Sequence, residues 1–126
     1  MPERHVNWDA VPVVLEDFEV GREPARESLR DAVRALLWAL AQRAPGRSVE
    51  LRVPPYGAIQ CVEGPRHTRG TPPNVVETDP ITFVKLATGI LNWADALTSG
   101  KIAMSGIRAD LSSYLPCWPE KSEKTP

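Results

Sequence analysis

A chain of 126 residues is long enough for one domain and one core, burying roughly two-thirds of the surface its unfolded form exposes. Its 15 Lys and Arg against 16 Asp and Glu leave a formal charge of -1, which excludes the summed positive field that grips a phosphate backbone. No nucleic-acid partner is therefore expected. Met1 to His5 lead into mixed polar and apolar residues, with neither a signal stretch nor a run able to span a bilayer, so a cytoplasmic protein with no integral membrane segment is expected. Cys61 and Cys117 lack the close Cys or His spacing of a zinc site and are expected to be free thiols.

Residues 1–23 read as an arm lying on the domain, with apolar patches at Val11 to Leu15 and Phe18 to Val20 interrupted by Pro12 and Gly21. No regular structure is assigned to it. From Pro24 to Ala41, Leu29, Val33, Leu36 and Leu40 recur at steps of four, three and four, one stripe of a helix. Pro24 and Ser28 compete as its start, and Ala44-Pro45-Gly46 ends it. At about 100° per residue Trp38 falls opposite that stripe, among Glu27, Asp31 and Arg34. An indole there calls for a cover: the arm folding back over it with Val11 to Phe18, a second copy of the chain, or an enzyme partner.

Val49, Leu51 and Val53 alternate with Glu50 and Arg52, the period of a half-buried strand. Tyr56 to Val62 is apolar on both faces and suits a central strand. Glu63 to Pro73, with Gly64, Pro65, Gly70, Pro72 and Pro73, reads as a loop. Asn74 to Thr78 is a candidate third strand. Asp79-Pro80 then opens a helix to about Thr88, the carboxylate capping backbone N–H groups and the proline needing none. Gly89 closes it, Asn92 caps a short helix in which Trp93 and Leu97 share a face, and Gly100 ends that one. Lys101 to Ser105 alternates as a strand, and a last helix is expected from Ala109 to Leu115. The tail, 116–126, is expected to be mobile.

The segment Leu86-Ala87-Thr88-Gly89-Ile90-Leu91-Asn92-Trp93-Ala94-Asp95-Ala96-Leu97, followed by Gly100-Lys101-Ile102-Ala103-Met104-Ser105-Gly106, resembles the helix, helix, strand, Gly signature of sterol carrier protein domains. The longer stretch from Pro54 to Leu111 is similar to the bacterial orthologue branch of that family, and the domain would span residues 24–115. The resemblance implies an α+β fold, a curved and largely antiparallel sheet of about five strands with four to five helices on one face and an apolar cavity between them. Several members of the family bind lipids there, whereas others are non-catalytic accessory domains fused to thiol-dependent enzymes.

A ligand-binding cavity would be lined by Leu36, Leu40, Phe83, Ala87, Trp93, Leu97, Ile102, Met104 and Leu115, each at least as well explained by plain core packing. A lipid or small hydrophobic acid gains about 0.8 kcal/mol for each methylene removed from water, and its head could meet Arg66, His67 or Arg69. Those three form a candidate anion site, since guanidinium groups offer paired donors; equally, they could pair with Glu63, Glu77 or Asp79 to fix the loop. His67 has no Ser or Cys beside it in sequence, and no cofactor is called for, so independent catalysis is not expected. Binding of a small hydrophobic ligand is the first reading and an accessory or interaction domain the second. An interior filled by side chains such as Phe83 and Trp93 favours the second.

Overall fold

The computed structural model describes residues 6–64 and 74–119. Its first element corrects the reading of the arm: Ala10–Glu19 form a helix, α1, burying Ala10, Val11, Val14 and Asp17. Pro12 does not break it, because Pro12 stands in the first turn, where the backbone N–H has no partner inside the helix to lose. The buried side of α1 packs on α2, Arg26–Arg43. There Val33, Leu36 and Leu40 are fully buried, and Leu29 is packed against the core. Ala32, Ala35 and Leu37 are buried too, since α2 is flanked on more than one side. Its first residue falls between the two expected starts, after an Ala25 cap that makes no side-chain bond.

Four strands form one sheet: β1 Val49–Val53, β2 Gly57–Cys61, β3 Val75–Thr78 and β4 Ile102–Ser105, in the order β2-β1-β3-β4. This corrects the expected five-stranded, largely antiparallel sheet to a mixed sheet of four strands among the described residues. β1 pairs antiparallel with β2 and parallel with β3, and β3 pairs antiparallel with β4. The tight turn at Pro54–Tyr56 lays β2 along one side of β1 and returns the chain to the end where β1 began. β3, taking the other side of β1, therefore runs parallel to it. β2 is thus an edge strand rather than a central one. Gly57 and Ala58 are exposed; they read as apolar in sequence because they are small, not because they are buried.

Val49, Leu51, Val53, Val76 and Ile102 turn inward and are buried, while Glu50, Arg52 and Glu77 lie on the opposite face. The core thus lies between one sheet face and the helices. β3 leads into α3, Pro80–Thr88, and then α4, Trp93–Thr98. Both expected caps form: the Asp79 carboxylate accepts from the N–H of Thr82 at 3.0 Å and from its hydroxyl at 2.6 Å, and Asn92 Oδ1 accepts from the N–H of Asp95 at 2.8 Å. Gly89, at φ +89°, closes α3 in the left-handed region.

Burial opposes the ionised form of Asp79, but the Thr82 bonds, a bond from its own backbone N–H and the Lys101 charge outweigh it and hold the carboxyl below its usual range. Its folded pKa is depressed, so the stabilisation is full above the unfolded value near 3.9 and is lost as pH falls through the folded value. Asp79→Ala is expected to cost about 1 kcal/mol at pH 7. In urea melts the gap between wild type and variant should narrow below about pH 4; a gap independent of pH would mean that the cap does not act through its charge.

The helix expected over 109–115 is reduced to a single 3-10 turn, Ser112–Tyr114. Cys117, placed by its flanking prolines in the tail, is buried, and its N–H and that of Trp118 both donate to the carbonyl of Ala87. These bonds cover the end of α3, where carbonyls have no partner within the helix.

Candidate functional site

Trp38 stands on α2 as its periodicity predicts, and it is Trp8 in the chain ahead of α1, rather than Val11 to Phe18, that meets it. Asn7 Nδ2 donates to Asp31 Oδ2 at 3.2 Å, which ties that stretch to α2. Trp8 meets Trp38 edge to face, with ring centroids 6.1 Å apart at 83°, an arrangement that favours aromatic pairs beyond their buried area. The same Asp31 also accepts from Arg30 Nε at 3.0 Å; the bond from Arg30, and after it that from Asn7, hold its carboxyl below the ordinary range.

Beside this aromatic pair lies a mostly apolar groove of about 450 Å³, lined by Val6, Arg34, Leu37, Trp38, Gly57, Ala58 and Ile59. It runs between α2 and the edge strand β2. Arg34 borders it with its Nε donating to the carbonyl of Tyr56 at 3.0 Å. At the other end of β2, Arg47 Nε donates to Gln60 Oε1 at 3.1 Å.

The backbone of β2 can be assigned from its neighbours. The N–H of Glu50 donates to the carbonyl of Asn74 beside β3, so Glu50 turns its peptide groups away from β2. Bonded and non-bonded pairs alternate in an antiparallel ladder. Val49, Leu51 and Val53 therefore exchange bonds with Cys61, Ile59 and Gly57, their partners in register. The N–H and C=O groups of Ala58 and Gln60 point outward from the sheet edge, along the groove, in the same sense as the Tyr56 carbonyl that Arg34 caps.

The residues proposed to line an interior cavity are dispersed. Leu36, Leu40 and Ala87 expose nothing and Phe83 only 1%. Side chains so enclosed have no water-sized space beside them, and in this conformation they act as core. Ile102 is buried, Trp93 and Leu115 are half-buried, and Leu97 and Met104 stand 40% and 42% exposed. Met104 borders a shallow depression with Val75, Glu77, Ala103 and Ser105. Arg66, His67 and Arg69 lie outside the described residues. Asn74, the first described residue after them, is held by a buried bond from its Nδ2 to the carbonyl of Ser48 at 2.8 Å, while its Oδ1 accepts from the N–H of Arg108 at 3.0 Å.

Sequence reasoning missed Leu37, Gly57 and Ile59 as neighbours of Trp38 and took Arg34 only as a polar companion. The misplaced indole was the one signal pointing here, since nothing in the pattern revealed that β2 would be an edge. Cys61 and Cys117 are free and buried; burial pushes their thiols up to about 11 and about 12, so neither is a thiolate nucleophile near neutral pH. Among the described residues no three His, Cys, Asp or Glu side chains gather to hold a metal ion, and no helix is long and apolar enough to cross a membrane.

An α+β domain with helices on one sheet face and an apolar groove at the sheet edge is the class of structure these residues define. The family model described as bacterial SCP ortholog matches residues 25–117, and the chain belongs to that family. No curated protein matches the chain. The matched span begins beyond α1 and includes the 3-10 turn and Cys117.

Proposed function

We propose that this protein is a non-catalytic interaction domain that works through the groove between α2 and β2. The observation that supports this reading is the enclosure of Leu36, Leu40, Phe83 and Ala87, which expose 1% of their surface or less and pack as core. Among the described residues, a groove at the surface sets an apolar wall against a strand edge that no other described strand pairs. Family membership agrees with an accessory role, because both ligand carriage and accessory binding fit the family's bacterial branch. Catalysis has no support from the described thiols, which burial keeps protonated.

A second reading has its own observation. The groove volume of about 450 Å³ falls within the usual range for small-molecule sites, and Arg34 at its border suits a carboxylate, so a small hydrophobic acid could lie there. Native mass spectrometry of the purified protein, with analysis of its organic extract, separates the two. A protein that is empty and takes up no fatty acid from a panel is the expected result. A lipid or acid recovered near one per chain would establish the ligand reading instead.

A further inference from the structure

Edge strands in soluble proteins are normally guarded against pairing by charges, proline or bulges within the strand. β2, Gly57-Ala58-Ile59-Gln60-Cys61, carries no charge and no proline. Its outward peptide groups, at Ala58 and Gln60, take no partner within the described chain. Exposed Gly57 and Ala58 leave room for a neighbouring backbone, and Leu37, Trp38 and Ile59 form an apolar wall one side chain deep beside it. The Arg34 and Arg47 guanidinium groups stand toward the two ends of this edge.

We infer that β2 is a docking edge for an extended segment of a partner protein, apolar at its centre and acidic at both ends, which adds to the sheet as a strand. Its main chain would bond to Ala58 and Gln60, one apolar side chain would enter the groove, and its carboxylates would meet Arg34 and Arg47. The charges select this occupant over a second copy. Two β2 edges related by a two-fold axis run antiparallel, which brings Arg34 of each chain toward Arg47 of the other, and like charges set against each other oppose pairing. The inference rests on the interaction-domain reading and names the partner's chemistry.

The test uses the full chain and blocked synthetic peptides of sequence Glu-Thr-Val-Ile-Val-Thr-Glu, with the same peptide carrying Lys in place of both Glu as comparison. Fluorescence anisotropy should show the acidic peptide binding at least about tenfold more tightly than the basic one. Arg34→Glu should abolish or reverse that preference. Amide hydrogen exchange at Ala58 and Gln60 should slow on binding, while the amides of Gly57 and Ile59, already paired with β1, should not change. Ala58→Pro should remove binding yet keep the fold and melting temperature, because the Ala58 N–H lies outside the β1 ladder and proline is tolerated on an edge. Absence of binding, binding that leaves the Ala58 amide unchanged, or binding that survives Ala58→Pro would each overturn the inference. Slow exchange at Ala58 that vanishes on dilution of the free protein would assign the edge to a second copy instead. These failures are separable from that of the underlying reading: a stoichiometric lipid in the extract overturns the interaction domain, whereas an empty protein that ignores the peptides removes only β2 as its surface.

Discussion

Phe83→Ala is expected to lower the stability of the domain by about 3–5 kcal/mol, measured by urea unfolding. The ring sits on α3 with 1% of its surface exposed, and α3 packs on α2, so the cost combines lost transfer free energy with the void left behind. Phe83→Leu, which keeps much of the volume, should cost under about 1.5 kcal/mol. The pair of variants bears on function as well as stability. If the interior is filled as the exposures indicate, the void in Phe83→Ala is new, and a small apolar molecule such as benzene should recover part of the loss by binding only the folded variant. A loss below about 1 kcal/mol would mean that Phe83 is loosely held, and it would restore the interior cavity as the ligand site.

The fold was most legible where one residue type has one physical use. Asp79-Pro80, Gly89 and Asn92 were readable because a carboxylate before a proline, a left-handed glycine and an amide before a helix each relieve an unpaired backbone group at a helix end. The α2 stripe was legible from period alone. α1 was hidden by Pro12, whose effect depends on whether it stands in the first turn or later, and sequence fixes a helix start only to within a few residues. β2 was misjudged as central because Gly57 and Ala58 raise the apolar count without burying anything. The strand count inferred from family resemblance exceeded what the described residues form, whereas the four strand-like segments read from the chain itself, two of them by alternation, all became strands.

The candidate site was legible only in outline. Periodicity flagged Trp38 as out of place, and the structure answers with Trp8 on one side and the groove on the other. What periodicity cannot supply is the partner across space. Arg34 reaches the Tyr56 carbonyl over a separation of 22 residues, and no local pattern encodes a contact of that kind. The role of Leu36, Leu40, Phe83 and Ala87 was illegible for a related reason: side chains that line a cavity and side chains that fill it have the same composition, and only their distances separate them.

The Cys61 end of β2 depends on a second glycine whose role differs from a helix stop, and Gly46→Ala is expected to cost at least about 3 kcal/mol. Gly46 has φ +145°, a region L-residues rarely adopt, and a Cβ there would collide with the carbonyl group of Val62 and the nitrogen of Glu63. Those atoms cannot step aside. The Val62 N–H donates to the carbonyl of Ala44 at 2.7 Å, and the Val62 carbonyl accepts from both the N–H of Ser48 at 3.0 Å and its hydroxyl at 2.7 Å. The same bonds hold Val62 itself at φ +68°, an outlying conformation for a β-branched residue. Gly21 supplies the control: it also has positive φ, +75°, but a Cβ there would meet nothing within 4 Å, so Gly21→Ala should cost only about 1–2 kcal/mol. Equal losses in urea melts would mean that backbone conformation alone sets the cost and that Gly46 does not need its close approach to Val62. A larger loss at Gly46 would locate the anchor of β2 in that contact. The docking edge, held at Tyr56 by Arg34 and at Gln60 by Arg47, would then owe its shape to a glycine outside the groove.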